Sequence, residues 1–178
     1  MPIRPQTDAA LWLGITKLLM DGKLYDAKFV KEFTDFPLLV RTDTLKRLRA
    51  QEVFANYRSD ISPEGPSFKV QGLKKEQHEQ LGDFVVWDEA AGAPRAVTRD
   101  DVGTRMEAKG IHPALEGTYN VKLANGSSVK VVTLWTLYQQ HLRDYDLDSV
   151  ADITHVPRPL IERLAKDIAE LKPVSIHQ

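Results

Sequence analysis

The residues best able to do chemistry stand at the start of the chain. Arg4, Gln6, Thr7 and Asp8 bring a guanidinium, an amide, a hydroxyl and a carboxylate together immediately before an apolar segment. Thr7 or Asp8 is expected to cap a helix there, so that backbone N–H groups and a carboxylate meet at a positively polarised helix end. Such a carboxylate can accept two parallel hydrogen bonds from the N1–H and N2–H₂ edge of a guanine, while Arg4 and the N–H groups can face phosphate. From the residues alone, a simple helix cap is the favoured interpretation.

The other candidate sets for catalysis or metal binding lack the spacing that their chemistry needs. Asp144, Asp146 and Asp148 alternate like the start of a calcium loop, but the central glycine and the terminal glutamate are absent, so we interpret them as a solvated turn between helices. The basic segment 46–49 suits an exposed helix or arm as well as a phosphate contact. We therefore predict no catalytic residue and no metal ligand. No two of the five histidines have the i, i+4 spacing of a zinc motif: His78, His112, His141, His155 and His177.

The composition limits the partners and the chemistry further. The 178 residues are enough for one domain with a sizeable core, and 24 Lys+Arg against 25 Asp+Glu give a net charge of -1, which does not favour binding to nucleic acid. The absence of cysteine excludes disulfides, thiolate zinc sites and iron–sulfur ligation by this chain. No apolar run is long enough for a membrane span, and residues 1–20 do not resemble a signal peptide, so the compartment stays open between cytoplasm and periplasm.

Helical spacing and turn residues predict the elements that carry these side chains. We expect a helix from Asp8 to Met20 that ends at Gly22, and a second helix over 27–33 capped by Asp26. Residues 42–116 have weak periodicity apart from a short strand at 84–87, and we interpret them as an irregular surface excursion.

The last third of the chain has clearer signals. The Asn125-Gly126 dipeptide between two alternating runs predicts a hairpin with a type I′ turn over 117–132. Helical segments are expected over 134–142 and 146–153, with a longer helix from Pro157 to Leu171. Residues 173–178 are expected to begin a buried strand, which with the preceding helix makes half of a βαβ unit.

Several segments, in register along the chain, resemble motifs of the molybdopterin oxidoreductases of the dimethyl sulfoxide reductase superfamily. Pro2–Leu11 is similar to the PIRPGTDAAL motif of that family, with Gln6 in place of the commoner glycine. The resemblance is to the branch of nitrite oxidoreductase, nitrate reductase and perchlorate reductase, and it spans nearly the whole chain except for the less similar 50–110. The other segments that carry it are Asp21–Val30, Thr34–Asp43, Pro113–Gly117, the hairpin, Ile153–Pro157 and Lys172–Val174.

The resemblance implies an α/β fold with a partly wound sheet, flanking helices and a β-hairpin, within a larger molybdopterin-binding domain. It implies one partial domain over 1–178, with the guanine-site helix and second helix in 1–41, the excursion in 42–116, and the hairpin, helices and terminal strand in 117–178. In the family, two molybdopterin guanine dinucleotides hold molybdenum, and the aspartate of the Thr-Asp motif takes part in recognising a guanine. The resemblance implies that Asp8 would accept hydrogen bonds from a guanine, with Arg4, Gln6 and Thr7 beside it in the cofactor site.

The resemblance also implies partners and limits. The family's iron–sulfur cysteine motif and molybdenum ligand have no counterpart in these 178 residues, so we expect a fragment of a catalytic subunit without turnover of its own. Its partners would be the remainder of that subunit and an iron–sulfur electron-transfer subunit, with self-association when isolated. One alternative is a stand-alone interaction module from a truncated or split gene. A weaker one is a small unrelated α/β enzyme that uses His177 or the aspartate cluster.

Overall fold

The computed structural model describes residues 2–171, and these divide into two compact units. The helical unit comprises 2–26 and 138–171, and the sheet unit comprises 27–137. The predicted α/β class is confirmed in its coarse form, because helices occur together with small antiparallel sheets. None of the helices among the described residues combines the length and the apolar character needed to cross a membrane.

The helical unit is built from three main helices that pack around one apolar core. They are α1 (Asp8–Asp21), α8 (Leu147–Thr154) and α9 (Arg158–Glu170), and a 3₁₀ turn spans Leu142–Asp144. Their extents agree with the helical spacing in the sequence, and Gly22 ends α1 as predicted. The core is formed by buried side chains from all three helices and the connection between α8 and α9: Leu11, Ile15, Val150, Val156, Ile161 and Ala165.

The sheet unit contains every described strand. A three-stranded sheet has the order β1 (Leu39–Arg41), β5 (Ser128–Thr133), β4 (Thr118–Lys122), and a two-stranded sheet joins β2 (Phe84–Asp88) to β3 (Ala93–Val97). All of these pairings are antiparallel. The helices of the unit are mostly short: α2 (Ala27–Phe33), α3 (Ala50–Val53), α4 (Pro66–Lys69), α5 (Lys75–Leu81), α6 (Thr104–Ala108) and the start of α7 (Leu134–His141).

The interpretation of 42–116 as a surface excursion is wrong, because this segment supplies much of the sheet unit's core. Leu48 and Val85 are fully buried, and Val86 is 1% exposed. The basic segment is neither a helix nor an arm. It is extended, with the Leu48 N–H donating to the Leu39 carbonyl at 2.7 Å while Arg47 and Arg49 bridge to neighbouring strands.

The predicted hairpin is confirmed, but its predicted turn type is wrong. Gly126 has φ +87°, whereas Asn125 is not among the described residues with positive φ, and a type I′ turn needs both. The Gly126 N–H instead donates to the Leu123 carbonyl at 2.9 Å, and the Asn125 carboxamide accepts from the Ser127 N–H at 3.0 Å. Of the two residues of the dipeptide, Gly126 alone has the positive φ.

The predicted terminal strand over 173–178 lies outside the described residues, as do the Lys172–Val174 segment and His177. The partly wound sheet and the larger domain remain predictions.

Candidate functional site

The segment that precedes α1 is anchored to the helical unit through its backbone. The Arg4 N–H donates to the Thr154 carbonyl at 3.0 Å, at the carboxyl end of α8. Ile3 packs, partly buried, against the core of the same unit. These two contacts fix the backbone that carries Arg4, Gln6, Thr7 and Asp8 while leaving the Arg4 side chain exposed.

Thr7, one of the two residues predicted to cap the helix, occupies the N-cap position, but its side chain forms no capping hydrogen bond. Its hydroxyl turns back and donates to the Arg4 carbonyl at 2.6 Å, so it makes no capping hydrogen bond to α1. Gln6, between these two residues, adopts the left-handed conformation, with φ +66°. A non-glycine residue in that region carries steric strain, and the Gln6 position is the one at which the resembling motif has glycine.

Asp8 is the first residue of α1 rather than its cap. Its side chain is exposed and makes no hydrogen bond or ion pair with any residue in 2–171. The first backbone hydrogen bond of the helix runs from the Leu11 N–H to the Thr7 carbonyl at 3.2 Å, so the N–H groups of residues 8–10 lack an acceptor in the described chain. The helix dipole favours an anionic group at this end.

The four predicted residues therefore lie together at one open helix end. They present an acceptor carboxylate at Asp8, free backbone donors after it, and the guanidinium of Arg4, which forms no ion pair within residues 2–171. A carboxylate can accept from two adjacent N–H groups of one planar ligand, and an open helix end can take an anionic oxygen. The arrangement has the donor and acceptor set for a guanine nucleotide.

One of the three aspartates in 144–148 caps a helix. The Asp146 carboxylate accepts from the Ser149 N–H at 2.8 Å and caps α8, and the pKa of Asp146 is lowered mainly by this backbone hydrogen bond. Asp148 forms an ion pair with Arg158. The residues described, 2–171, contain no group of three His, Cys, Asp or Glu side chains placed to hold a metal ion.

The sequence did not indicate a set of buried polar residues in the sheet unit. Asp83, Asp88, Asp100 and Asp101 are each at most 5% exposed, and His78 is 8% exposed. The carboxylates stand in loops and at a strand end, and His78 stands in the short helix α5. No sequence pattern there distinguishes a buried polar side chain from a solvated one.

Most of these carboxylates accept hydrogen bonds that hold loops and neighbouring segments in place. Asp100 accepts from the Ser67 N–H at 2.9 Å and from its hydroxyl at 2.6 Å, and Asp101 accepts from the Thr98 N–H at 2.7 Å. Asp83 accepts from the Tyr57 hydroxyl at 2.9 Å. Burial and then this hydrogen bond raise the pKa of Tyr57 well above its usual range.

Comparison with known proteins found relatives that match nearly the whole chain. It is similar to the perchlorate reductase subunit alpha of Dechloromonas aromatica, with 29% identity over 196 residues that cover 97% of this chain and 19% of the relative. The respiratory nitrate reductase subunit alpha of Haloferax mediterranei is 32% identical over 178 residues, which cover 97% of this chain and 16% of that relative. The chlorate reductase subunit alpha of Ideonella dechloratans is 29% identical over 180 residues, which cover 99% of this chain and 16% of that relative.

The chain thus spans less than a fifth of the length of these three relatives. No family model matches it.

Proposed function

The chain is homologous, over nearly its whole length, to one segment of the alpha subunits of molybdopterin oxidoreductases, and on this premise we propose that it contributes part of a binding site for a molybdopterin guanine dinucleotide. The single observation that carries the proposal is the open amino end of α1, where the exposed Asp8 carboxylate and unpaired backbone N–H groups adjoin Arg4. When bound, the cofactor supplies the molybdenum chemistry of the parent subunit.

The four residues have separate roles in this proposal. Asp8 accepts hydrogen bonds from the N1–H and N2–H₂ edge of the guanine, and the guanidinium of Arg4 faces a phosphate. Thr7 holds the segment in shape through its hydrogen bond to the Arg4 carbonyl. The left-handed backbone of Gln6 brings the chain close to the position of the nucleotide.

We further propose that this segment belongs to a larger, partly wound molybdopterin-binding domain and that it has no turnover alone. The remainder of the catalytic subunit and an iron–sulfur electron-transfer subunit would be its partners. The chain has no cysteine to ligate a cluster. Purified 178-residue protein with reduced viologen and nitrate should show no nitrate reduction, and activity in proportion to bound molybdenum would contradict this.

The guanine contact can be tested by calorimetric titration with three nucleoside diphosphates. GDP should bind more tightly than IDP, which lacks the N2 amine, and IDP more tightly than ADP, which lacks the N1–H donor as well. Asp8→Asn should weaken GDP binding by about tenfold, because a charge-assisted pair of hydrogen bonds is lost and an amide donor then faces the guanine donors. The Asp8→Asn variant should also no longer distinguish GDP from IDP.

Asp148→Asn is the matched control. Asp148 is also an exposed carboxylate in the first turn of a helix of the same unit, but it lies on α8 and pairs with Arg158. This variant should bind GDP as the unmodified protein does. If the protein binds GDP and ADP with equal affinity, or if both variants lose GDP affinity equally, Asp8 does not recognise guanine and acts only on the helix dipole of α1.

One observation favours the alternative of an interaction module. Helix α2 has no buried residue, and its Phe29 and Phe33 are 54% and 52% exposed. An interaction module that uses this face would self-associate through it, and Phe29→Ser with Phe33→Ser would restore the monomer. A monodisperse monomer of the unmodified protein in light scattering would contradict this alternative, and it would also contradict the self-association expected of an isolated fragment.

A further inference from the structure

A cavity of about 110 Å³ lies in the sheet unit, remote in sequence from the proposed nucleotide site. Its apolar lining comes from α2, β2, β3 and α6 and includes Phe33, Phe84, Val97 and Met106. Phe33 forms a wall because its ring lies against Gly103, where an added Cβ would be 2.6 Å from the ring carbon Cζ. Gly103 has φ +51°, so both its backbone and this close approach require glycine.

The size of the cavity sets the size of a ligand. An apolar cavity of roughly 150 Å³ in a protein core can accept benzene. A partly open cavity of about 110 Å³ therefore suits a phenyl ring or a branched alkyl group with part of the ligand at the opening.

The charges around the cavity set the polarity of that ligand. The guanidinium of Arg47 lies 4.5 Å from the centre of the Phe84 ring, so one cation stands directly over the apolar lining. Arg99 is exposed and forms no ion pair within residues 2–171. Each other charged residue in the lining has an ion-pair partner: Lys31 with Glu89, Glu32 with Lys28, Arg47 with Asp35, and Asp101 with Lys109.

We propose that this cavity binds a small monocarboxylate with an apolar body, such as an aryl or branched-alkyl acid. The body fills the space between Phe33, Val97 and Met106, and the carboxylate pairs with Arg99. One uncompensated positive charge fits one carboxylate, whereas a dianion would bring an excess negative charge beside Asp35 and Asp101. The proposal does not depend on the nucleotide site.

Three probes separate the contributions of body and charge. Benzoate should bind with a dissociation constant of about a millimolar, as expected for a ligand of this size. Benzyl alcohol has a similar body without the charge, and acetate has the charge without the body, so each should bind at least about fivefold more weakly. In methyl and amide NMR spectra, benzoate should shift the signals of Val86, Val97, Met106 and residues 98–102.

Two variants and one control locate the contacts. Arg99→Gln should weaken benzoate binding by about fivefold or more and leave benzyl alcohol unchanged. Phe33→Ala, at a half-exposed position that tolerates truncation, should weaken benzoate and benzyl alcohol together. Arg143→Gln removes another exposed arginine, one outside the cavity lining, and should have no effect.

The proposal is overturned if benzoate does not saturate any signal up to about 20 mM, which is far above the expected dissociation constant. It is also overturned if acetate binds as tightly as benzoate, or if Arg99→Gln and Arg143→Gln behave alike. The thermal unfolding of the two arginine variants should match that of the unmodified protein, since both substituted arginines are exposed.

Discussion

The two units of the chain bury different kinds of residue. In the helical unit, the buried polar residue among those described is Thr154, whose hydroxyl donates to the Val150 carbonyl at 2.7 Å. The sheet unit buries eight polar or charged residues, four of them carboxylates: Ser67, His78, Asp83, Asp88, Thr98, Asp100, Asp101 and Thr133. Apolar helix packing therefore holds the first unit, whereas buried carboxylates that accept backbone N–H groups tie the loops of the second.

The backbones of the two units differ in a related way. All of the glycines with positive φ lie in the sheet unit, within residues 72–126. The left-handed positions of the helical unit are occupied instead by Gln6, Lys23 and His155. The sheet unit also has two such residues with a Cβ, Leu45 and Asn56, but its other positive-φ positions are glycines. Because left-handed backbone strains residues with a Cβ, this strain falls on every positive-φ position described in the helical unit and on a minority of those in the sheet unit.

The largest expected effect tests the apolar core of the helical unit. Ile161 is fully buried among α1, α8 and α9, so Ile161→Ala should lower the free energy of unfolding by about 3–4 kcal/mol. The adjacent Leu160 is 44% exposed, and Leu160→Ala should cost less than about 1 kcal/mol. Urea unfolding gives both values, and hydrogen exchange in peptides from 2–26 and 138–171 assigns the loss to this unit. Equal effects of the two substitutions would contradict the assigned core.

A buried carboxylate of the sheet unit should have the next largest effect. Asp100→Ala leaves the buried N–H and hydroxyl of Ser67 without an acceptor, so it should lower the free energy of unfolding by about 2–3 kcal/mol. Asp100→Asn keeps an acceptor oxygen, so it should lower the free energy of unfolding by about half as much as Asp100→Ala does. Urea unfolding followed by the fluorescence of Trp87 and Trp135, which lie in this unit, measures both. If Asp100→Ala leaves the free energy of unfolding unchanged, buried carboxylates do not stabilise the sheet unit as the comparison of the two units states.

The Tyr57–Asp83 hydrogen bond gives the sheet unit a response to alkaline pH. The pKa of Tyr57 is raised in the folded state, so the folded protein holds this proton more tightly than the unfolded chain does. Its contribution to stability is fully present below the unfolded pKa of about 10 and is lost as the pH rises toward the folded pKa. Between about pH 9 and 11, Tyr57→Phe should therefore lose less stability than the unmodified protein.

At neutral pH, Tyr57→Phe should cost about 1 kcal/mol through the lost hydrogen bond to Asp83. The control is Tyr145→Phe, which removes a hydroxyl in the helical unit that has no hydrogen-bond partner among residues 2–171. Urea unfolding of the unmodified protein and both variants between about pH 9 and 11 measures how the free energy of unfolding of each changes with pH. Parallel pH profiles for Tyr57→Phe and the unmodified protein would show that the hydrogen bond does not shift this titration.

Sequence patterns predicted the helical unit well because its helices bury long, regular apolar stripes. α1 and α9 run for 14 and 13 residues, which gives the helical period several repeats. Most of the sheet unit lacks such signals. β3 contains Pro94 and Arg95 and shows no alternation of burial, and α3, α4 and α6 are too short to show a period.

The candidate site was predictable in position but not in detail. The polar residues before an apolar helix placed Asp8 at the helix start correctly. The Thr7 hydroxyl donates to the Arg4 carbonyl and Gln6 is left-handed, in a segment whose Arg4 N–H donates to the Thr154 carbonyl, 150 positions along the chain. Local patterns do not contain that contact.

The smallest expected effect tests whether the strain of the helical unit lies at the candidate site. Gln6→Gly relieves the left-handed strain at φ +66° but adds freedom to the unfolded chain, so it should raise the free energy of unfolding by about 0.5–1 kcal/mol. Gln6→Ala keeps a Cβ at the same φ and should give no gain. Urea unfolding of the two variants separates backbone strain from loss of the amide. If glycine and alanine act alike, Gln6 is held by contacts of its side chain, and the contrast in strain between the two units does not extend to the nucleotide site.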